Sequence, residues 1–142
     1  MPIDVRMVPL QYEHLAAILP NTIIGLLPDL SRSYFSDGSV SYCLLADNVP
    51  VFAGGVVNMQ WKRGEAWMLP TVWFKAHVKT CYQFMKAVLP VMATTGGYKR
   101  IQATCATSVS PSLFRHLGFY SEGVLNCFGP NGESCHLYAR LF

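Results

Sequence analysis

Along this 142-residue chain, polar and apolar residues alternate, then recur at helical spacing, then alternate again. Ile3, Val5 and Met7 interleave with Asp4, Arg6 and Val8, and the resulting two-residue period predicts a strand over residues 3–9. Tyr12, Leu15, Ala16, Ile18 and Leu19 suit one face of a short helix over residues 11–19, stopped at Pro20. Asn21 can cap a second helix reaching residue 27, with Pro28 and Gly38 acting as breakers beyond it. Residues 40–46 and 49–59 read as two strands joined by the turn Asp47-Asn48. Gly54-Gly55 inside the second of them implies either a bulge or a close approach of backbone. After the turn Lys62-Arg63-Gly64, a third strand is expected from Glu65 to about Phe74, interrupted by Pro70. Trp61, Trp67 and Trp73 share strand parity, so one sheet face is expected to carry them, with Trp67 and Trp73 as core and Trp61 at a rim or interface.

Val78, Cys81, Phe84, Met85, Val88, Leu89 and Met92 then recur at three- and four-residue steps opposite Lys79, Gln83 and Lys86. That spacing predicts a long amphipathic helix, ended or kinked at Pro90, with Gly96-Gly97 at its exit. A strand is expected over residues 99–107 and a short helix over residues 110–116, stopped by Gly118. Residues 119–128 and 135–142 should form a hairpin around Gly129-Pro130-Asn131-Gly132. The order is β-α-α-β-β-β-α-β-α-β-β. It describes a single α/β domain over residues 1–142, with a mixed sheet and helices on both faces.

Composition narrows the function classes. Hydrophobic residues at 51% against 13% charged exclude a disordered chain. The scarcity of charge has two readings: a large core, or apolar surface covered by a partner. The net charge is only +3, and Lys62-Arg63 and Lys99-Arg100 are separate pairs rather than a stripe, so no nucleic-acid partner is expected. Five cysteines without a CxxC suggest small buried hydrophobes in a reducing compartment, and the scattered histidines give no metal-ligand spacing. The chain starts without a signal-peptide pattern and has no apolar run of about 18 residues, so a soluble, cytoplasmic protein without a membrane partner is expected. There is no Gly-x-Ser-x-Gly elbow or Walker loop. Cys105 and His116 could be read as nucleophile and base, but a strand cysteine is more usually core.

Three local patterns carry a family resemblance. They are Asp47-Asn48-Val49-Pro50-Val51-Phe52-Ala53-Gly54-Gly55, then Leu113-Phe114-Arg115-His116-Leu117-Gly118-Phe119 followed by Glu122-Gly123-Val124-Leu125, and finally Gly129-Pro130-Asn131-Gly132-Glu133 with Leu137-Tyr138-Ala139-Arg140. In this order they resemble the GCN5-related N-acetyltransferases (GNAT), over nearly the whole chain. A narrower resemblance is to small GNAT-like proteins of tailed phages, including internal virion or head-associated ones. It rests on Gly54-Gly55, on Gly64-Glu65-Ala66-Trp67-Met68-Leu69 and on the helix from His77.

The resemblance implies acetyl-CoA as cofactor and an amine on a small molecule or protein as acceptor. It equally admits a catalytically inactive phage protein, packaged in the virion or binding another virion protein or a host protein in the host cytoplasm. The family holds the cofactor's diphosphate with Gln/Arg-x-x-Gly-x-Gly/Ala at a helix start. The matching stretch here is Lys75-Ala76-His77-Val78-Lys79-Thr80, with Val78 and Thr80 where the glycines belong. Losing two charge-assisted hydrogen bonds there, at about 1.5–3 kcal/mol each, would lower affinity roughly 10²–10⁴-fold. Lys75, His77 and Lys79 either offset that loss by charge or form a solvated face. The pantetheine arm would lie between residues 69–72, including Leu69, Thr71 and Val72, and residues 103–107, ending at Thr107; Pro70 removes one donor. Glu65 is the candidate base, or else a solvent-facing carboxylate after a turn. The family's proton-donating Tyr corresponds to Phe114, which has no proton to give. Ser110 or Ser112 could instead hydrogen-bond the leaving thiolate, or cap the short helix.

Overall fold

In the computed structural model, which describes residues 3–21, 40–108 and 110–142, the alternating stretches become seven strands of one sheet. These are β1 (Val5–Pro9), β2 (Val40–Ala46), β3 (Val49–Asn58), β4 (Arg63–Pro70), β5 (Arg100–Ala106), β6 (Tyr120–Leu125) and β7 (Cys135–Leu141). They lie in the order β1-β2-β3-β4-β5-β7-β6, and each neighbouring pair is antiparallel except β4 with β5. Parallel neighbours need a long crossover. A 3₁₀ turn (Phe74–His77) and the 19-residue helix α2 (Val78–Gly96) supply it. Helix α1 (Tyr12–Ile18) follows β1, and α3 (Ser112–His116) follows β5. The helix expected after Asn21 falls on residues outside those described.

Strand parity divides the core between two faces. On one, Leu10, Leu15 and Ile18 from α1 and its approach pack on Cys43, Leu45, Ala53 and Leu69. On the other, Leu89, Met92 and Ala93 of α2 meet Val56, Ile101, Leu117, Phe119 and Tyr138. Leu44, Ala46, Val51 and Phe52 surround Cys81 on the same side. The mixed α/β sheet covered on both faces is therefore the observed architecture.

Several local expectations are corrected. Of the two expectations at Pro90, an end or a kink, the end is overturned: helix α2 runs through Pro90 to Gly96. Pro90 is exposed, as is Lys86, so the Lys86 carbonyl that loses its amide partner can be hydrated. The Thr94 hydroxyl also donates to the Pro90 carbonyl at 3.0 Å. The helix stops in a Schellman motif: Gly97 has φ 69°, its N–H donates to Thr94 O at 3.2 Å, and the Tyr98 N–H donates to Ala93 O at 2.9 Å. Strand β4 ends at Pro70, which leaves Trp73 in a turn and Phe74 in the 3₁₀ segment. The shared-face reading of the tryptophans fails for that reason. Trp67 alone is half-buried on β4, whereas Trp61 is 84% and Trp73 40% exposed. Helix α3 starts at Ser112 rather than Ser110.

Of the two readings of Gly54-Gly55, close approach holds. A Cβ on Gly55 would lie 2.4 Å from Val40 O and 2.8 Å from Ser41 Cα. The bulge lies across the ladder, between Leu44 and Leu45. The two β-hairpin turns before and after β3 differ in chemistry. Asp47 (φ 48°) and Asn48 (φ 65°) are residue types that tolerate left-handed backbone, but Trp61 (φ 62°) and Lys62 (φ 55°) are not. That conformation costs an L-residue with a bulky side chain about 1–2 kcal/mol.

Candidate functional site

The sheet opens at its centre. β4 and β5 pair at three positions only, Arg63↔Arg100, Gly64↔Ile101 and Glu65↔Gln102. Beyond them β4 stays on β3 as far as Phe52↔Pro70, and β5 stays on β7 as far as Ala106↔Cys135. Among the described residues no ladder pairing joins residues 66–70 to residues 103–106. The result is a fork whose inner edges can take an extended guest chain by backbone hydrogen bonding.

A polar chain crosses the base of the fork. Glu65, half-buried on β4, accepts a hydrogen bond from the Gln102 side-chain amide at 3.4 Å. Gln102 in turn accepts from Arg100 Nε at 3.1 Å, and Arg100 grips Glu122 of β6 with both terminal nitrogens, Nη1 to Oε2 at 3.0 Å and Nη2 to Oε1. The bond from Arg100 holds the Glu122 carboxyl below the ordinary carboxylate value, and the same bond raises Arg100. Arg100–Glu122 is the one salt bridge among the described residues, so Glu65 has no ion-pair partner there. By parity Glu65 shares its face with Trp67 and Leu69, the α1 side of the sheet. A half-buried carboxylate without a cationic partner, in an open fork, can receive an ammonium.

The other face of the fork meets the start of α2. His77 takes the N-cap position without a side-chain bond to the first turn, and that turn contains no acid. The amides and the positive end of a 19-residue helix are therefore uncompensated by carboxylate. Lys75 and Lys79 are exposed, while His77, Val78 and Thr80 are half-buried. A groove of about 520 Å³ runs beside this helix start, lined by Val78, Lys79, Tyr82, Gln83, Lys86 and His116. Its lysines and amides fit an anionic group. The β-branched Val78 and Thr80 narrow the approach to that backbone, and the preceding 3₁₀ turn draws amides at the junction into its own bonds.

The remaining candidate residues divide by burial. Leu69 and Thr71 have no exposed surface. Leu69 is core on the α1 side, and Thr71 donates both its hydroxyl (2.7 Å) and its N–H (3.0 Å) to Val51 O. Val72 and Thr107 are exposed at the fork's mouth, and the Thr107 N–H is engaged with Ser134 O at 3.0 Å. Ser110 Oγ accepts from the Ser112 N–H at 3.3 Å and lies 3.0 Å from Ser112 Oγ, so it braces the start of α3. Phe114 stacks on Tyr138 with ring centroids 4.2 Å apart and sits edge-on to Phe119. His116 faces Tyr82 across the groove, not Cys105, whose direct neighbour across the ladder is His136. Gln102 and Arg100 are the residues sequence reasoning missed. Only the β4–β5 register brings them to Glu65, and no local pattern encodes that register.

This is the fold of the GNAT acyl-CoA N-acyltransferases. An N-acetyltransferase from Staphylococcus aureus Mu50 superposes with a TM-score of 0.76 at 16% identity, over 97% of this chain and 98% of that one. A GNAT-family acetyltransferase from Streptococcus pneumoniae gives 0.73 at 15% identity, over 98% and 99%. A Bacillus subtilis acetyltransferase solved in complex with CoA gives 0.68 at 11% identity, over 99% of both chains. At such identities the likeness is one of fold. No family model matches the sequence, and no curated protein matches it.

Proposed function

We propose that this protein is an acyl-CoA-dependent N-acetyltransferase acting on an amine of a small molecule or protein. The observation that carries the reading is the fork: β4 and β5 separate just beyond Glu65↔Gln102, which sets a carboxylate at the base of an opening. Bound acetyl-CoA would supply an acyl group on a good leaving sulfur, so that the new C–N bond forms as the C–S bond breaks. The inner edges of β4 and β5 hold the pantetheine arm as a guest strand. Amides at the start of α2, with Lys79 and Lys86 beside them, hold the diphosphate. Glu65 attracts the acceptor's ammonium and takes its proton, directly or through a water, leaving the amine free to attack. Gln102 fixes one oxygen of that carboxylate.

A second reading is favoured by Phe114 and by the filled glycine positions. Phe114 is locked against Tyr138 in the core and offers no proton to a leaving thiolate. The fold would then serve as an inactive phage protein, carried in the virion or bound to a host protein.

Incubation with acetyl-CoA and a panel of amines (a polyamine, a lysine peptide, a peptide with a free N-terminus), read by product mass, separates the two. The first reading expects an acetylated product and a rate about 10²–10⁴-fold lower in Glu65→Gln. No product from any amine, together with no rise in melting temperature at millimolar acetyl-CoA or CoA, would leave only the second.

A further inference from the structure

The basic pairs Lys62-Arg63 and Lys99-Arg100 are far apart in the sequence, yet the fold joins them. Lys99 N–H donates to Lys62 O at 2.7 Å, and Arg63 faces Arg100 across the ladder. Both pairs sit at the closed end of the sheet, opposite the fork's mouth. Between the end of α2 and the start of β5 lies a groove of about 420 Å³, lined by Lys62, Lys99, Tyr98, Gly97, Thr94 and Phe142. Both Lys62 and Lys99 are among its lining residues. No acid is among the lining residues, and Glu65 and Glu122 are turned to Gln102 and Arg100 on the α1 face. Lys62 and Lys99 form no ion pair among the described residues, and neither does Arg63, which by strand parity lies on the α1 face with Glu65.

Beside the groove stands Trp61, 84% exposed, with the Arg63 guanidinium 5.8 Å from its ring centre. Trp61 and Lys62 both hold left-handed backbone, at φ 62° and 55°. Folding gains almost nothing from an indole that packs on so little, and glycine would fit its backbone better. A strained residue without a packing role suggests selection for what it meets in solution.

We propose that this end of the molecule binds single-stranded nucleic acid, with a base stacked on Trp61 and neighbouring phosphates at Lys62, Arg63 and Lys99. Charge complementarity excludes a cationic partner. An acidic peptide satisfies the lysines but brings no π-face to the indole, and a bilayer does not enter a groove walled by lysines. A single strand satisfies both features, because its phosphates follow a basic groove while its unpaired bases stack on aromatic rings. The inference is independent of acyl transfer.

The test is fluorescence anisotropy of a labelled oligo-dT of about 15 nucleotides, a length within the usual site sizes. Three phosphate contacts predict that log K falls with log salt at a slope of about −2, and Lys62→Gln with Lys99→Gln should reduce it to about −0.7. Trp61→Gly should weaken binding about 5–150-fold while raising the melting temperature by about 2–4 °C, because the strain is relieved. No binding at low salt would overturn the proposal. So would affinity unchanged in Trp61→Gly, or a fall in its melting temperature, which would mark the indole as packing. Equal or tighter binding of the matching duplex, a polyglutamate peptide or phosphatidylserine vesicles would overturn it in favour of that partner.

Discussion

At the scale of single residues, burial and pairing set what each titratable group can do. The Cys43 and Cys81 thiols are buried and pushed up to about 12, whereas Cys127 is exposed. Cys127 should therefore react first with a thiol reagent at pH 8, while Cys43 and Cys81 react only as fast as the protein unfolds. Equal rates for all five thiols would contradict the core packing. Glu122 behaves oppositely. Its carboxyl is held below the ordinary value of 4.5 by Arg100, so its contribution is complete above that value and is lost as pH falls through the depressed one. Melting curves of the wild type and Glu122→Gln should differ at pH 7 and converge in acid below that depressed value. A gap that persists there would mean that the ion pair is not its source.

Elements explain where sequence reasoning succeeded. The hairpin of β2 and β3 was legible to within a residue, because Asp47-Asn48 turns and β-branched alternation are local signals. Helix α2 was legible in its apolar spacing and its glycine exit, but Pro90 does not end it. A proline breaks a helix when its missing bond is buried, and here it faces water. The three tryptophans misled because parity has meaning only inside a strand, and β4 ends before Trp73. The place of Glu65 on the strand after the turn was legible. Its hydrogen-bonded neighbour Gln102 was not, since it lies on another strand 37 residues further along the chain.

Two predictions belong at the element scale. Gly55→Ala forces a methyl against β2 backbone and should cost about 1–3 kcal/mol, read as a fall in the denaturant midpoint. An unchanged midpoint would show that β2 and β3 can separate freely. Val78→Gly with Thr80→Gly should open the start of α2 to phosphate, tightening acetyl-CoA binding by about 10-fold or more per restored hydrogen bond. The helix would lose about 1 kcal/mol for each glycine, so calorimetric binding and melting should move in opposite directions. Affinity left unchanged would place the diphosphate elsewhere.

Over the whole molecule, the two ends of the sheet differ. At one end β4 and β5 diverge, with Glu65 on one face and the start of α2 on the other. The opposite end is zipped by three paired positions and gathers cations around the groove beside Trp61.

The proposed acyl transfer depends on the gap between two central strands accepting a third, extended partner. Amide hydrogen exchange with and without millimolar acetyl-CoA reads that event directly. Slowed exchange should appear together in residues 66–70, 103–106 and 78–81, and nowhere on β1. Unaltered exchange in both strand segments, whatever happens at the helix, would contradict it.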